Sequence, residues 1–284
     1  MAKVLSISSQ VVHGHVGNSA GAFILQRLGH DALALPTVIL SNRPGYRAVG
    51  GERIAPRMLD LMLRAIDSNG WLEGVDAIAT GYLPSEEHVI LCRRWVETVK
   101  SKNASAIYLC DPILGDEGSG IYVEKAAAEA VREQLLPLCD ILTPNVFELG
   151  WLSGRALSTL EDTVSAAAAL ARPAAVVTSA PGRSPGELAN VLVEAAGTVA
   201  TFSPRRKVNA HGTGDFFAAA LLARLLSTAS REAALGRAAA AIDLVLDATG
   251  QGDELELIAT QELWAGAEAP SAPVQRIPLS PDRA

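Results

Sequence analysis

Gly212-Thr213-Gly214-Asp215-Phe216-Phe217-Ala218-Ala219-Ala220-Leu221-Leu222 runs a glycine-rich turn straight into an apolar helix. The first N–H groups of a helix have no partner inside it, and the helix dipole adds positive potential there, so such a start favours an anion. Glycine at 212 and 214 would let a phosphate come close to the backbone. Asp215 falls in the first turn, where a carboxylate stays ionised and can take a proton from an attacking hydroxyl. The same residues also read as an ordinary helix start, with Thr213 or Asp215 as a cap or first-turn acid. The rest of the chain has to decide between the two.

Upstream of this stretch, short apolar runs alternate with segments of helical period. Strands are predicted over 3–8, 32–37, 75–80, 106–110, 140–142 and 174–178. A hairpin is predicted from 188–194 and 199–202 about Ala195-Ala196-Gly197. Helices are predicted over 18–28, 56–66, 85–99, 124–136, 163–171, 214–226, 231–247 and 254–264. This alternation implies an α/β fold with a mostly parallel sheet covered on both faces. No linker-like break interrupts it, so residues 1–265 are expected to form one domain. The tail over 266–284, rich in Pro, Ala and Ser, is expected to be extended and partly disordered.

In such folds ligands bind outside the carboxyl ends of the strands. Ser8-Ser9, Gly81-Tyr82, Asp111-Pro112, Thr143-Pro144-Asn145 and Thr178-Ser179 all follow predicted strands, which points to one polar crevice. A carboxylate at a strand end, such as Asp111, can serve a divalent ion directly or through water, or merely solvate a turn. The stretch after it, Asp116-Glu117-Gly118-Ser119-Gly120, is flexible enough to close over a ligand. Asn145 and Glu148 are three apart. On a helix starting at Asn145 they could face the crevice, or they could form a capping box.

Composition removes several classes. The 284 residues are 49% hydrophobic and 19% charged, which excludes disorder for the bulk of the chain. A net charge of −7 argues against a nucleic-acid partner. The densest basic run, Arg205-Arg206-Lys207, reads as a solvated turn. No apolar run approaches the ~20 residues that span a bilayer, and the N-terminus does not read as a signal peptide, so a cytoplasmic protein without a membrane partner is expected. Cys92, Cys110 and Cys139 are odd in number and widely spaced, which suits buried free thiols in a reducing compartment. No Gly-Lys-Ser or Gly-Lys-Thr occurs, so there is no P-loop. Gly14-His15-Val16-Gly17 partly matches a dinucleotide fingerprint, but the second strand ends at Leu35-Pro36-Thr37, without the acid a ribose needs. His13 and His15 are expected to pack or to touch substrate rather than bind metal.

The combination resembles the ribokinase-like superfamily and, within it, the pyridoxal kinases. The resemblance runs from about Val4 to Gln261. Ser6-Ile-Ser-Ser-Gln-Val-Val-His-Gly-His-Val-Gly-Asn-Ser19, Ser41-Asn42 with Gly45-Tyr46, Thr80-Gly-Tyr-Leu83, Tyr108-Leu-Cys-Asp-Pro-Ile-Leu-Gly-Asp116, Asp140-Ile-Leu-Thr-Pro-Asn-Val-Phe-Glu-Leu149 and Gly212-Thr-Gly-Asp215 carry it. It implies a ribokinase-like three-layer α/β/α fold and ATP-dependent phosphorylation of the 5′-hydroxyl of pyridoxal, with its alcohol and amine forms as further substrates, in vitamin B6 salvage. Asp215 would be the base, and the N–H groups of Gly212, Thr213 and Gly214 the anion hole. Asp111, Asn145 and Glu148 would serve Mg²⁺ and the ATP phosphates, with Asp111 and Glu148 nearest the metal. Thr143, Thr178 and Ser179 would lie on the nucleotide side, where the family also places a potassium ion. Ser9 would hydrogen-bond the pyridine ring, Val16 would pack on it and Tyr82 would stack on it. Residues 116–122, including Asp116, Gly118, Gly120 and Tyr122, would form a mobile cover. Kinases of this branch form homodimers, so one is expected here.

The departures from the family pattern fall on the substrate side. Its usual Ser-Asn-His-Thr-Gly-Tyr is here Ser41-Asn42-Arg43-Pro44-Gly45-Tyr46. Pro44 removes a hydroxyl and Arg43 adds a cation. A kinase of another small hydroxymethyl heterocycle, a non-catalytic B6-binding protein and a nucleotide-dependent oxidoreductase are the competing readings.

Overall fold

The computed structural model describes residues 1–228 and 230–278. Its elements, in chain order, are β1 (Lys3–Val11), α1 (Asn18–Arg27), β2 (Asp31–Leu40), β3 (Gly51–Arg53), α2 (Pro56–Ser68), β4 (Ala77–Thr80), α3 (Glu86–Lys102), β5 (Ile107–Cys110), β6 (Gly115–Asp116), β7 (Gly120–Ile121), α4 (Lys125–Ala130), β8 (Ile141–Leu142), α5 (Val146–Ser153), α6 (Leu160–Ala169), β9 (Ala174–Pro181), β10 (Glu187–Glu194), β11 (Gly197–Pro204), α7 (Thr213–Ser227), α8 (Arg231–Thr249), α9 (Gln261–Ala265) and β12 (Gln275–Arg276). Ten strands form one sheet in the order β12-β11-β10-β9-β8-β5-β4-β1-β2-β3. The six from β9 to β2 run parallel, and antiparallel strands flank them on both sides.

The strands are apolar on both faces, and alternate residues feed two separate cores. Leu5, Ile78, Tyr108, Leu142, Ala175 and Val177 join one cluster with α2, α3 and α6. Their neighbours Val4, Ala77, Leu109, Ile141, Ala174 and Val176 join the other, under α1, α7 and α8. Three layers follow: helices, sheet, helices. The second layer is Ala-rich on α7 and α8, which lets the helices sit close together. Trp264 on α9 is fully buried and meets Phe216 edge-on at 5.3 Å between ring centres, anchoring the first turn of α7 from below.

The chain leaves β1 toward β2 on one side, then crosses back to β4 on the other. This reversal opens a crevice at the carboxyl ends of the central strands.

Several expectations need correction. The helix expected over 124–136 stops at Ala130, widens into a π-turn over Val131–Leu135 and tightens into a 3₁₀ turn over Leu136–Leu138. Pro137 offers no N–H and disfavours helical geometry just before it. The helix expected over 254–264 shrinks to Gln261–Ala265. Leu255 and Leu257, two apart, are both buried, and the Leu257 N–H donates to the Leu255 carbonyl at 2.8 Å, a spacing no helix provides. The tail is tied down in part: Ala272 N–H donates to Gly236 O at 2.8 Å, and Gln275–Arg276 pairs with β11. The disorder expected at 279–284 lies outside the described residues. Arg206 is not simply solvated, because its guanidinium bonds Asp243 and Asp247 at 2.6 Å each. The three cysteines are free and buried. Among the described residues no helix is long and apolar enough to cross a membrane.

Candidate active site

A cavity of 360 Å³ lies at the carboxyl ends of β5, β8 and β9 and against the start of α7. It brings together residues more than 100 positions apart in sequence. Asp111, Asp116, Tyr122, Thr143, Asn145, Glu148, Thr178, Ser179, Gly212, Thr213, Gly214 and Asp215 all line it.

Gly212 caps α7 in the left-handed region, φ 92°, and no side chain blocks the open N–H groups of the first turn. A Cβ at Gly212 would also collide with the His15 carbonyl oxygen, so glycine is required there by the protein itself. Gly214 differs. A Cβ on it would meet no heavy atom of the described residues within 4 Å. Asp215 follows at the cavity wall. Desolvation lifts its carboxyl to about 6, against a hydrogen bond from the Gly17 backbone.

Two more carboxyls share the cavity. Asp111 is raised well above the usual carboxylate range, first by desolvation and then by Glu148 and Asp215. Glu148 is buried and lifted to about 7 by that burial, although it accepts three backbone N–H bonds. These come from Leu114 at 2.8 Å, Gly115 at 3.5 Å and Asn145 at 2.9 Å. Asn145 Oδ1 accepts from the Glu148 N–H at 2.9 Å, so the pair does form a capping box for α5. The two readings of this motif are therefore both realised: a helix cap whose side chains also face the cavity. The box limits what is left over. A carboxylate has about four acceptor sites, and Glu148 has spent most of them. Asn145 Nδ2 already donates to Gly115 O at 2.9 Å.

The backbone around these groups is strained. Ile113 has φ 43°, an uncommon conformation for a β-branched residue, and Ser179 has φ 57°. Both line the cavity. β6 and β7 make a two-stranded flap at its mouth, which places Asp116 and Tyr122 on the lining but leaves Gly118 and Gly120 off it. The Tyr122 hydroxyl is held far above its ordinary pKa, first by burial and then by the carboxylates around it.

Ser9, Val16, Arg43, Pro44 and Tyr82 do not line this cavity. Val16 and Tyr82 adjoin it. Val16 Cγ1 would lie 3.3 Å from a Cβ on Gly212, and Gly81, beside Tyr82, abuts Ser8 and Ile113. Tyr82 is held at its backbone: its N–H donates to Ser8 Oγ at 3.2 Å and its carbonyl accepts from Thr37 Oγ1 at 2.7 Å. Ser9 Oγ makes no hydrogen bond among the described residues.

Sequence reasoning missed Glu254, Arg205 and His211. Arg205 and His211 line the cavity, which gives it one cationic side chain, Arg205, and an imidazole whose proton affinity burial lowers. Glu254 Oε1 accepts from the Tyr46 hydroxyl at 2.6 Å and Oε2 from the His15 N–H at 3.1 Å, fastening two loops together. No local pattern marks that role, because the partners lie 208 and 239 residues away. Gly182-Arg183-Ser184-Pro185-Gly186 has the Gly-x-Ser-x-Gly spacing of a nucleophile elbow, but it turns the antiparallel β9–β10 hairpin and opens no helix, so it is not one.

An α/β sheet with an open helix start and buried carboxyls at the carboxyl edge of its strands is an arrangement that phosphoryl transfer can use. The family model described as phosphomethylpyrimidine kinase matches residues 32–254, and the chain belongs to that family. Within it, the chain is 37% identical over 270 residues to a pyridoxal kinase of Leifsonia xyli, covering 93% of this chain and 95% of that one. It is 36% identical over 281 residues to a pyridoxine/pyridoxal/pyridoxamine kinase of Bordetella avium, covering 97% and 94%. Its structure matches the pyridoxal kinase of Leishmania donovani in complex with ADP and pyridoxamine with a TM-score of 0.90 at 29% identity, covering 98% and 100% of the two chains.

Proposed function

We propose that this protein transfers the γ-phosphoryl group of ATP to the 5′-hydroxyl of pyridoxal and its alcohol and amine forms, a step of vitamin B6 salvage. The observation that carries the reading is Asp215, a carboxyl lifted to about 6, in the open first turn of α7 and in one cavity with Asp111 and Glu148. A base works best with a pKa near the operating pH. Asp215 takes the hydroxyl proton as the oxygen attacks. The N–H groups of Gly212, Thr213 and Gly214 hold the charge on the transferred group. Asn145, Thr178 and Ser179 lie on the nucleotide side, and Ser9, Val16 and Tyr82 orient the ring of the acceptor. The β6–β7 flap, with Asp116 and Tyr122, excludes water, which keeps ATP from being hydrolysed.

The donor set suits a divalent cation. Asp111 and Glu148 are crowded carboxyls without a cationic side-chain partner, and the buried Thr143 hydroxyl beside Asp111 has no hydrogen-bond partner of normal geometry. Asp111 would hold Mg²⁺ directly. Glu148, its oxygens mostly taken, would hold it through water. The ion would neutralise charge on the phosphates. The oxygens of Thr143, Thr178 and Ser179 would suit a potassium ion on the nucleotide side. We further read residues 1–265 as one kinase domain with 266–284 as its tail, acting as a cytoplasmic homodimer.

The test is ADP release by the purified protein, with and without pyridoxal. Pyridoxal-dependent release that vanishes in Asp215→Ala supports the reading. Pyridoxal binding without turnover would favour a B6-binding protein instead, and full turnover by Asp215→Ala would overturn the mechanism.

A further inference from the structure

Arg43 stands on the loop between β2 and β3. It makes no ion pair among the described residues, and its Nε is buried without a hydrogen-bond partner. Its one side-chain bond, Nη1 to the Pro44 carbonyl at 3.2 Å, stays within its own loop. The guanidinium lies over the Tyr46 ring, 4.7 Å from its centre. That ring is fixed in turn. His13 meets it edge-on at 6.2 Å, and its hydroxyl is bound to Glu254, which also holds the His15 backbone. His15 and Val16 pack on Gly212 of the anion hole. Burial lowers the proton affinity of the His211 ring, a residue of the cavity lining, and the charge of Arg43 lowers it further. A planar fork of donors, mostly unspent, is thus held in place beside the acceptor side of the cavity.

We infer that Arg43 is a specificity-determining residue that selects acceptors by the charge of their ring substituents. The inference rests on the functional reading above. Unspent guanidinium donors favour oxygen acceptors, whether a phenolate, a carbonyl or a hydroxyl. The same fixed cation repels an ammonium group. At neutral pH pyridoxal and pyridoxine carry only oxygen substituents at the 4-position, whereas pyridoxamine carries a protonated amine. The protein therefore phosphorylates pyridoxal and pyridoxine in preference to pyridoxamine. Glu254 is a positioning residue for Arg43, and its negative charge softens the discrimination.

The experiment is kcat/KM of the full chain for the three vitamers, in wild type, Arg43→Gln, Arg43→Lys and Glu254→Gln. The wild type is expected to favour pyridoxal over pyridoxamine about tenfold or more. Arg43→Gln should collapse that ratio to within about twofold of unity, and Arg43→Lys should keep most of it. In Glu254→Gln the amide can still accept from His15 and donate to Tyr46, so the wall stands while its negative charge is gone, and the ratio should rise. A ratio unchanged in Arg43→Gln, or a change confined to the KM for ATP, overturns the inference while leaving the kinase reading intact. No turnover of any vitamer by the wild type overturns both.

Discussion

The two sides of the crevice are built differently. On the side read as binding phosphate each polar group lies in a regular element or one residue from it: Asp111 just past β5, Thr143 and Asn145 between β8 and α5, Thr178 within β9, Asp215 in the first turn of α7. Sheet register and helix starts place these groups, and both are set by apolar packing far from the chemistry. On the acceptor side Ser9 alone lies within one of the central strands. Val16, Arg43, Pro44 and Tyr82 sit on loops, and long-range side-chain bonds, chiefly through Glu254 and Ser8, hold those loops. A wall made of core-anchored ends changes slowly with sequence, whereas one made of loops can change its chemistry by single residues. The departures at Arg43 and Pro44 fall on the second.

This contrast can be broken experimentally. The largest effect is expected at Asp215. Asp215→Asn should lower kcat by about 10²–10⁴-fold for every acceptor alike. It should also raise the melting temperature near neutral pH, by about 2–4 °C. The folded state raises this carboxyl to about 6 from 3.8, so it holds an extra proton between those values and loses stability as pH rises across them. Asparagine removes that cost. A fall in melting temperature would mean that Asp215 is structurally required.

Next come the two glycines. Gly214→Ala should leave folding intact, since its Cβ meets no atom of the described residues, yet reduce kcat/KM about tenfold or more by keeping a phosphate off the N–H groups. Gly212→Ala should instead lower the melting temperature, because its Cβ strikes the His15 carbonyl and its φ is positive. Equal thermal effects in the two variants would remove the argument for an anion at Gly214.

A smaller effect is the pH profile. Activity that needs ionised Asp215 should rise with pH through about 6 and then level off. That limb should be missing from the residual activity of Asp215→Asn. Smallest are the acceptor-side variants. Tyr82→Ala should lower kcat/KM about 2–10-fold through lost stacking, by raising KM with little change in kcat. An equal loss on kcat would place Tyr82 on the phosphate side after all.

Much of this was readable in the chain. The polar residues after each apolar run marked the strand ends, and the Gly-x-Gly-Asp run marked the open start of α7 on the cavity. The Asn145–Glu148 spacing allowed two readings, and the folded chain uses both at once, which a spacing of three could not reveal. Glu254 was read as the start of a helix because its neighbourhood has helical period. In the fold, Leu255 and Leu257 are both buried, and Glu254 is drawn to Tyr46 and His15. Residues 116–122 were read as a cover, but the pairing of β6 with β7 escaped notice because two-residue strands carry no periodic signal.

By itself, then, the sequence determined the layer order, the strand ends and the chemistry of the groups that stand there. These follow from local periodicity and from residue types within a few positions of one another. Only the tertiary structure decided that burial lifts all three carboxyls of the cavity, and that Glu148 and Asp215 add to the lift on Asp111. It alone showed that Gly214 is open to the cavity while Gly212 is not, and that Arg43, without an ion pair among the described residues, is fastened through Tyr46 to Glu254. Desolvation, steric access and ion pairing depend on what lies within a few ångströms in space, and in this chain those neighbours come from as far as 239 residues away.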